Sequence, residues 1–331
     1  MIRILTTAAL LASLTACGDG QPIIDDPEAQ GPDADLDLPP GSEADEVSAN
    51  SDIFRFEPRD DEGGGLVTDV SYNADNDTFR VDNLGFDGPN VYRRKDGDLA
   101  TLGGARVYQA QARTPDFLTG DPVEQLTPYI ALYREGGGLV DGEPQVSFAI
   151  VRSGGFSNFG AGGYVYERNG GVVLPDSGQA TFSGPYAGLR IFSPGRAGLE
   201  YVRGNMTLDI DFEDFNANDA VKGRVTDRRY FDKNGDRVRV FENGPPDLTI
   251  TIQEGIPSLN ADGEINVPVV NYIFREGERE VFEEGTFTGI IAGDTTQRPG
   301  GRVVGVVTVT AEDPREEGST MKETGGVILT R

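Results

Sequence analysis

The chain has 331 residues, with 45 Gly, 20 Pro, one Cys and neither His nor Trp. Without histidine there is no Ser-His-Asp or Cys-His catalysis, no His-ligated metal and no imidazole pH switch. A single cysteine forms neither an internal disulfide nor a thiolate metal site. With 55 acidic against 29 basic residues the formal net charge is −26, which speaks against non-specific nucleic-acid binding and against docking on anionic membranes.

In chain order, residues 1–16 read as a secretory signal, with Arg3 in a short charged region before the apolar run Ile4 to Leu14. That run falls short of the ~20 apolar residues of a membrane span. Its end, Leu14-Thr15-Ala16-Cys17, resembles the lipobox of bacterial lipoproteins. The resemblance implies that Cys17, the only cysteine, carries the lipid (palmitate-type acyl chains) after cleavage. Each buried CH₂ then contributes about 0.8 kcal/mol to membrane anchoring. Gly18, where an Asp would mark inner-membrane retention, favours the outer membrane; which face of it is exposed stays open. Residues 17–52 follow as an expected disordered tether: Gly18 to Asp52 holds 11 acidic residues, five prolines and no cation, too polar to offset its own ordering entropy.

From Ile53 onward the recurring signal is apolar alternation over short runs, closed by Gly, Asn, Asp or Pro. Candidate strands are Thr78–Leu84, Ala105–Ala112, Tyr129–Arg134, Val146–Arg152, Tyr164–Arg168, Asn205–Phe212, Ala220–Val225, Arg237–Phe241, Leu248–Ile252, Val269–Phe274, Glu280–Thr288, Arg302–Ala311 and Gly326–Leu329. Turns are read at Asp75-Asn76-Asp77, Asn169-Gly170-Gly171, Asn234-Gly235 and Asp262-Gly263, and no helix is expected. The fold class is therefore all-β and antiparallel, with closure into a barrel as the way to remove exposed edges.

An internal echo points the same way. Thr181-Phe182-Ser183-Gly184 and Thr286-Phe287-Thr288-Gly289 each precede a loop and a long alternating strand. They read as equivalent hairpins on two sides of one barrel, each glycine closing a short strand. These segments, with Asp209-Ile210-Asp211-Phe212, Val221-Lys222-Gly223 and Gly300-Gly301-Arg302-Val303-Val304-Gly305, are similar to the β-barrel domain of transferrin-binding protein B and related surface lipoproteins. The resemblance covers roughly residues 160–331. It implies an eight-stranded antiparallel barrel over 159–331, preceded by a small β-rich handle over 53–158, and a non-enzymatic, solute- or protein-binding role at the cell surface.

Several local clusters are candidate sites. Asp232-Lys233-Asn234-Gly235-Asp236 alternates oxygen donors as calcium loops do, and equally suits a β-turn; Asn243 stands where an EF-hand needs Glu. Asp209 and Asp211, with Asp214 and Asp219 following, could hold a cation, serve as a carboxylate pair, or simply line a solvated face. Phe156 to Tyr166 mixes aromatics with glycines, as recognition loops and hinges both do. Gly184 to Arg190 reads as a further loop, and Gly63–Gly65 and Gly136–Gly138 read as turns without a phosphate-loop lysine.

The expectation is a lipid-anchored outer-membrane protein that is not an enzyme and needs no cofactor. Its partners would be the membrane, through Cys17, and a protein or small solute, with no nucleic acid. The alternatives are a structural envelope or vesicle lipoprotein without a specific ligand, and a hydrolase built on Asp209 and Asp211.

Overall fold

The computed structural model describes residues 47–331, except 83, 85–90, 111–112, 116–117, 125–126, 156–158, 195, 197, 214–219, 251–257 and 276. All of them fall within one compact unit, residues 35–331. Cys17, Phe156, Asp214 and Asp219 lie outside the described residues.

The first half builds one antiparallel sheet. Its strands are β1 (Ile53–Phe56), β2 (Val70–Asn73), β3 (Thr78–Val81), β4 (Val91–Arg94), β5 (Thr101–Leu102) and β6 (Ala105–Gln109). A separate two-stranded ribbon, β7 (Arg113–Pro115) and β8 (Pro122–Glu124), interrupts the series before β9 (Ile130–Val140), β10 (Glu143–Arg152) and β11 (Gly162–Arg168) complete it. The order across the sheet is β1-β11-β10-β9-β6-β4-β3-β2, with β5 on β6. Among the described residues the one helical turn is a 3-10 turn at Gly97–Leu99.

The second half is a closed barrel. It comprises β13 (Gln179–Ser193), β14 (Leu199–Asp211), β15 (Val221–Phe231), β17 (Leu248–Ile250), β18 (Glu264–Arg275), β19 (Glu278–Asp294), β20 (Arg302–Glu312) and β21 (Thr320–Thr330). Eight antiparallel strands run in the order β19-β18-β17-β15-β14-β13-β21-β20, and pairing of β20 with β19 closes the ring. Two short strands flank it: β12 (Val172–Val173), parallel to β19, and β16 (Arg237–Val238), on β15. Closure pairs each of the eight strands on both sides.

Alternation accounts for the wall. On β14, Met206, Leu208 and Ile210 are buried while Asn205, Thr207 and Asp209 face out. The inward set joins Phe182, Val225, Phe287 and Val307 in the barrel core. A second core lies between the two sheets, where Phe148, Ile150 and Tyr166 of the first meet Leu189, Ile290, Val304 and Ile328 of the barrel's outer wall. The first sheet's opposite face carries a third, aromatic core, with Phe79 against Tyr108 and Tyr133 at ring centroids of 5.6 and 5.3 Å.

Buried polar contacts cross between the sheets. Arg55 on β1 bonds Glu264 on β18 at 2.7 Å, both side chains inaccessible to solvent. Arg152 on β10 holds Glu57 through two 2.8 Å bonds and donates to Thr324 Oγ1 on β21 at 2.9 Å. Arg168 donates to the carbonyls of Ile291 and Asp262 at 3.0 and 2.7 Å.

Three sequence expectations are corrected. Gly184 to Arg190 is not a loop; it is the middle of β13, paired with both β14 and β21. Gly136–Gly138 likewise lies within β9. Gly184 and Gly289 do not end their strands, since β13 runs on to Ser193 and β19 to Asp294. They are glycine because the neighbouring strand passes too close: a Cβ would stand 2.6 Å from Ile328 O and 2.9 Å from Val304 O.

Candidate binding face

The barrel interior changes character along its length. At one end it is filled by apolar side chains such as Phe182, Leu208 and Ile210; toward the other, Arg190, Glu200, Arg228, Asn271, Glu283 and Glu323 are all buried. Arg228 bridges Glu283 and Glu323, the latter at 3.1 Å, and Asn271 Nδ2 donates to Glu283. Tyr186 Oη donates to Glu323 at 2.8 Å, and burial together with that carboxylate pushes its pKa well up. Arg190 pairs with Glu200 at 2.9 Å and stacks over the Tyr230 ring at 3.8 Å.

The network runs outward into the connections. Glu200 also accepts from Arg196, between β13 and β14, and from Arg315, between β20 and β21, the latter at 2.7 Å. Both arginines reach Asp313, at 2.9 and 2.8 Å. Burial alone would raise the Asp313 carboxyl, but hydrogen bonds and charge from Arg315, helped by Arg196, hold it below the usual carboxylate range. Two loops of this rim are thus tied to one strand through buried or half-buried ions.

The rest of the rim gathers around them. The backbones of Gly154 and Gly198 are so close that a Cβ on Gly154 would stand 2.4 Å from Gly198 O. Lys322 lies 4.8 Å above the Phe159 ring and 3.3 Å from Asp60. Beyond β16, Phe241 packs edge-on against Phe282 of β19 at 5.4 Å. On the β18–β19 hairpin, Phe274 and Val281 are 78% and 52% exposed. The segment carrying β7 and β8 returns to this rim where Thr127 Oγ1 donates to Gly154 O at 2.8 Å, and its Leu118 is 80% exposed.

The sequence-derived candidates sit elsewhere or act locally. Asp232 spends its carboxylate on its own turn, accepting from the Asn234 and Asp236 amides at 2.8 and 2.9 Å around Gly235 at φ +91°. Asp209 and Asp211 face outward on β14, receiving bonds from Thr181 Oγ1 and Gln179 Nε2 across to β13, each at 2.6 Å. Among the described residues no three His, Cys, Asp or Glu side chains gather as an ion-binding group. Tyr164 and Tyr166 lie buried on β11 within the first sheet, 6.3 Å apart.

What sequence reading missed is the interior ionic network. The signal was present in part: Arg190 is in phase with Phe182 and Tyr186 on β13, a charge on an apolar face. On β15 the phase is hidden, because Asp227, at φ +54°, forms a bulge that sets Val225 and Arg228 on the same side.

Comparison with protein-family models and with curated proteins finds no match. Solved structures do match. A single mutant of the vaccine antigen transferrin-binding protein B from Haemophilus parasuis Hp5 aligns with 72% of this chain at 11% identity and a TM-score of 0.32. A double mutant of the same antigen aligns with 81% at 11% identity and 0.33. The intact Ap-TbpB, with N and C lobes, aligns with 80% at 11% and 0.31. This chain spans 40%, 45% and 46% of their respective lengths. A likeness at that level says nothing of what this chain binds.

Proposed function

We propose that this protein is a lipid-anchored outer-membrane binding module that captures a protein or small solute through the loop rim of its barrel. The observation that carries the reading is the exposure of Phe274 and Val281 on the β18–β19 hairpin, whose strands are tied through Glu283 to Asn271 and Arg228, beside two loops that Arg196 and Arg315 tie to Glu200 and Asp313. Pre-organised loops lose less entropy on binding, so the ions that brace them favour affinity. Capture of a protein or of a small iron-bearing ligand is what the resemblance to transferrin-binding protein B implies. The acidic chain, at −26, suits a basic partner through charge complementarity.

In this reading residues 17–52 tether the body to lipid on Cys17, and 53–158 and 159–331 act as handle and barrel. Cys17→Ser is expected to shift the full-length protein from the detergent-rich to the aqueous phase on detergent partitioning; retention with detergent refutes the anchor. The capture role is tested on intact cells making the lipidated chain. External protease is expected to cut the body without permeabilisation. Cross-linking to a partner should be lost in Phe274→Asp and kept in Thr286→Asp, on the barrel wall. Protection from protease, or equal cross-linking by both variants, overturns it.

A further inference from the structure

The outer wall of the barrel contains a groove of about 710 Å³, lined by Thr207, Asp209, Lys222, Arg224, Thr226 and Thr249. Gly223, Arg224 and Val225 of β15 pair there with β17, and Tyr230 and Phe231 pair with β16. Gly223, between Lys222 and Arg224, faces the barrel core, where a Cβ would meet Thr207 O at 2.6 Å and Ile250 Cδ1 at 3.0 Å.

The groove holds two cations and one carboxylate on its wall. Lys222 and Arg224 stand two apart on β15, hence on one face, and both are exposed. Arg196, Arg228, Arg315 and Arg55 have carboxylate partners. Lys222 and Arg224 have no ion pair and no side-chain hydrogen bond among the described residues. The carboxylate directly across from Lys222 is Asp209, and it is engaged by Thr181 instead.

Further cations lie up the same strands, beyond the exposed Asp227 on the bulge. Arg203 and Arg229 are direct cross-strand neighbours, both exposed, a like-charge pairing that is unfavourable unless an anion lies near. The net charge of −26 does not cancel this. At physiological salt, charges more than about 8 Å away are largely screened, so the nearest cations decide the local potential.

We propose that this groove binds a phosphorylated sugar. The phosphoryl group sits between Lys222 and Arg224, whose ammonium and guanidinium suit phosphate oxygens. The Asp209 carboxylate and the hydroxyls of Thr207, Thr226 and Thr249 meet the sugar hydroxyls. A carboxylate beside two cations suits a ligand carrying both an anionic group and neutral hydroxyl donors. The phosphorylated sugar can be a soluble metabolite or the headgroup of a glycolipid. Binding here is independent of capture at the loop rim.

The test uses the full-length chain in neutral detergent, titrated calorimetrically with glucose 6-phosphate, inorganic phosphate and glucose. Saturable binding of glucose 6-phosphate is expected, tighter than inorganic phosphate, weakening as salt rises, with glucose silent. In Lys222→Gln/Arg224→Gln the affinity should fall about tenfold or more. Both side chains are exposed, so an unchanged thermal midpoint shows that the variant folds. Flotation with vesicles containing a phosphorylated glycolipid separates the sources. Vesicle binding by the non-lipidated Cys17→Ser form, competed by glucose 6-phosphate, assigns the headgroup; binding of the soluble sugar alone assigns the metabolite. No saturable binding at low salt, or the same affinity in the folded double variant, overturns the site. Equal affinity for inorganic phosphate overturns the role given to Asp209 and the threonines.

Discussion

Arg190 and Glu200 face each other across β13 and β14 as a direct cross-strand pair, and their side chains meet inside the barrel at 2.9 Å. Glu200 also takes Arg196 and Arg315, so one carboxylate joins the interior to two loops. Arg196 and Arg315 are partly open to water, but Arg190 is only 1% exposed, and its other carboxylate, Glu323, is 3.6 Å away. Glu200→Ala should therefore leave a buried guanidinium under-paired and cost about 3–5 kcal/mol. The lowered midpoint would appear in urea unfolding, with earlier proteolysis of the segment around Arg315. An unchanged midpoint would show that water repairs the loss.

Between the two sheets, β21 carries the adjacent glycines Gly325 and Gly326, whose neighbours point to opposite sides of the wall. A Cβ on Gly325 would stand 2.0 Å from Tyr186 Cζ inside the barrel; one on Gly326 would stand 2.3 Å from Phe148 Cε2 of the first sheet. Each Gly→Ala should destabilise by about 1–3 kcal/mol through overpacking. Their consequences should differ. Gly326→Ala should slacken the contact between the sheets, and amide exchange would rise in β10. Gly325→Ala should displace Tyr186 from Glu323 and loosen the ionic interior. Matching exchange patterns in the two variants would contradict this separation.

The barrel was legible because its strands obey a single period. Asn205–Phe212, Arg302–Ala311 and Glu280–Thr288 fall on barrel strands, although β14 begins six residues before Asn205 and ends at Asp211, and β19 extends six residues past Thr288. The T-F-[ST]-G echo marks equivalent positions, since Phe182 opposes Leu208 on β14 just as Phe287 opposes Val307 on β20. Short strands of the first sheet, such as β1, β2 and β4, were not legible, because four residues hold too few alternations to register. Gly184 to Arg190 misled for another reason. Glycine and proline ordinarily mark turns, but here the glycines clear space for neighbouring strands at Ile328 O and Thr324 O. The binding rim was least legible, because it is assembled from loops distant in sequence and braced by charges whose phase a bulge conceals.

Arg55 and Glu264 join β1 to β18 with no solvent access to either side chain. Removing one partner strands a buried charge, so Arg55→Met alone should cost about 3–5 kcal/mol. Replacing both, as Arg55→Met/Glu264→Met, should recover most of that loss, since a buried pair and an apolar pair of similar volume differ little. Urea midpoints of the four proteins in a double-mutant cycle give the coupling. A double variant no better than the worse single would mean that the pair fixes the geometry rather than merely filling it.

Two carboxylates should move stability in opposite directions with pH. Burial raises the Glu167 carboxyl on β11; the Ser147 hydroxyl, donating at 2.6 Å, opposes the rise, and Glu143, Asp69 and Asp52 add to it. Its folded pKa thus exceeds the unfolded value of ~4.3, so the folded state holds the proton longer. Stability from this group is fully present below that value and is lost as pH rises through the folded pKa. Glu167→Gln keeps an acceptor for Ser147 and removes the charge. It should be more stable than the parent at pH 7, with the gap closing toward pH ~4. Asp313, held low by Arg315 and Arg196 against its burial, has the reverse sign. Its contribution is present above the unfolded value of ~3.9 and is lost as pH falls through the lower folded pKa. Asp313→Asn should therefore be the less stable protein at pH 7 and approach the parent in acid. Urea midpoints between pH 4 and 8 check both signs, and a Glu167→Gln protein weaker than the parent at pH 7 would refute the first.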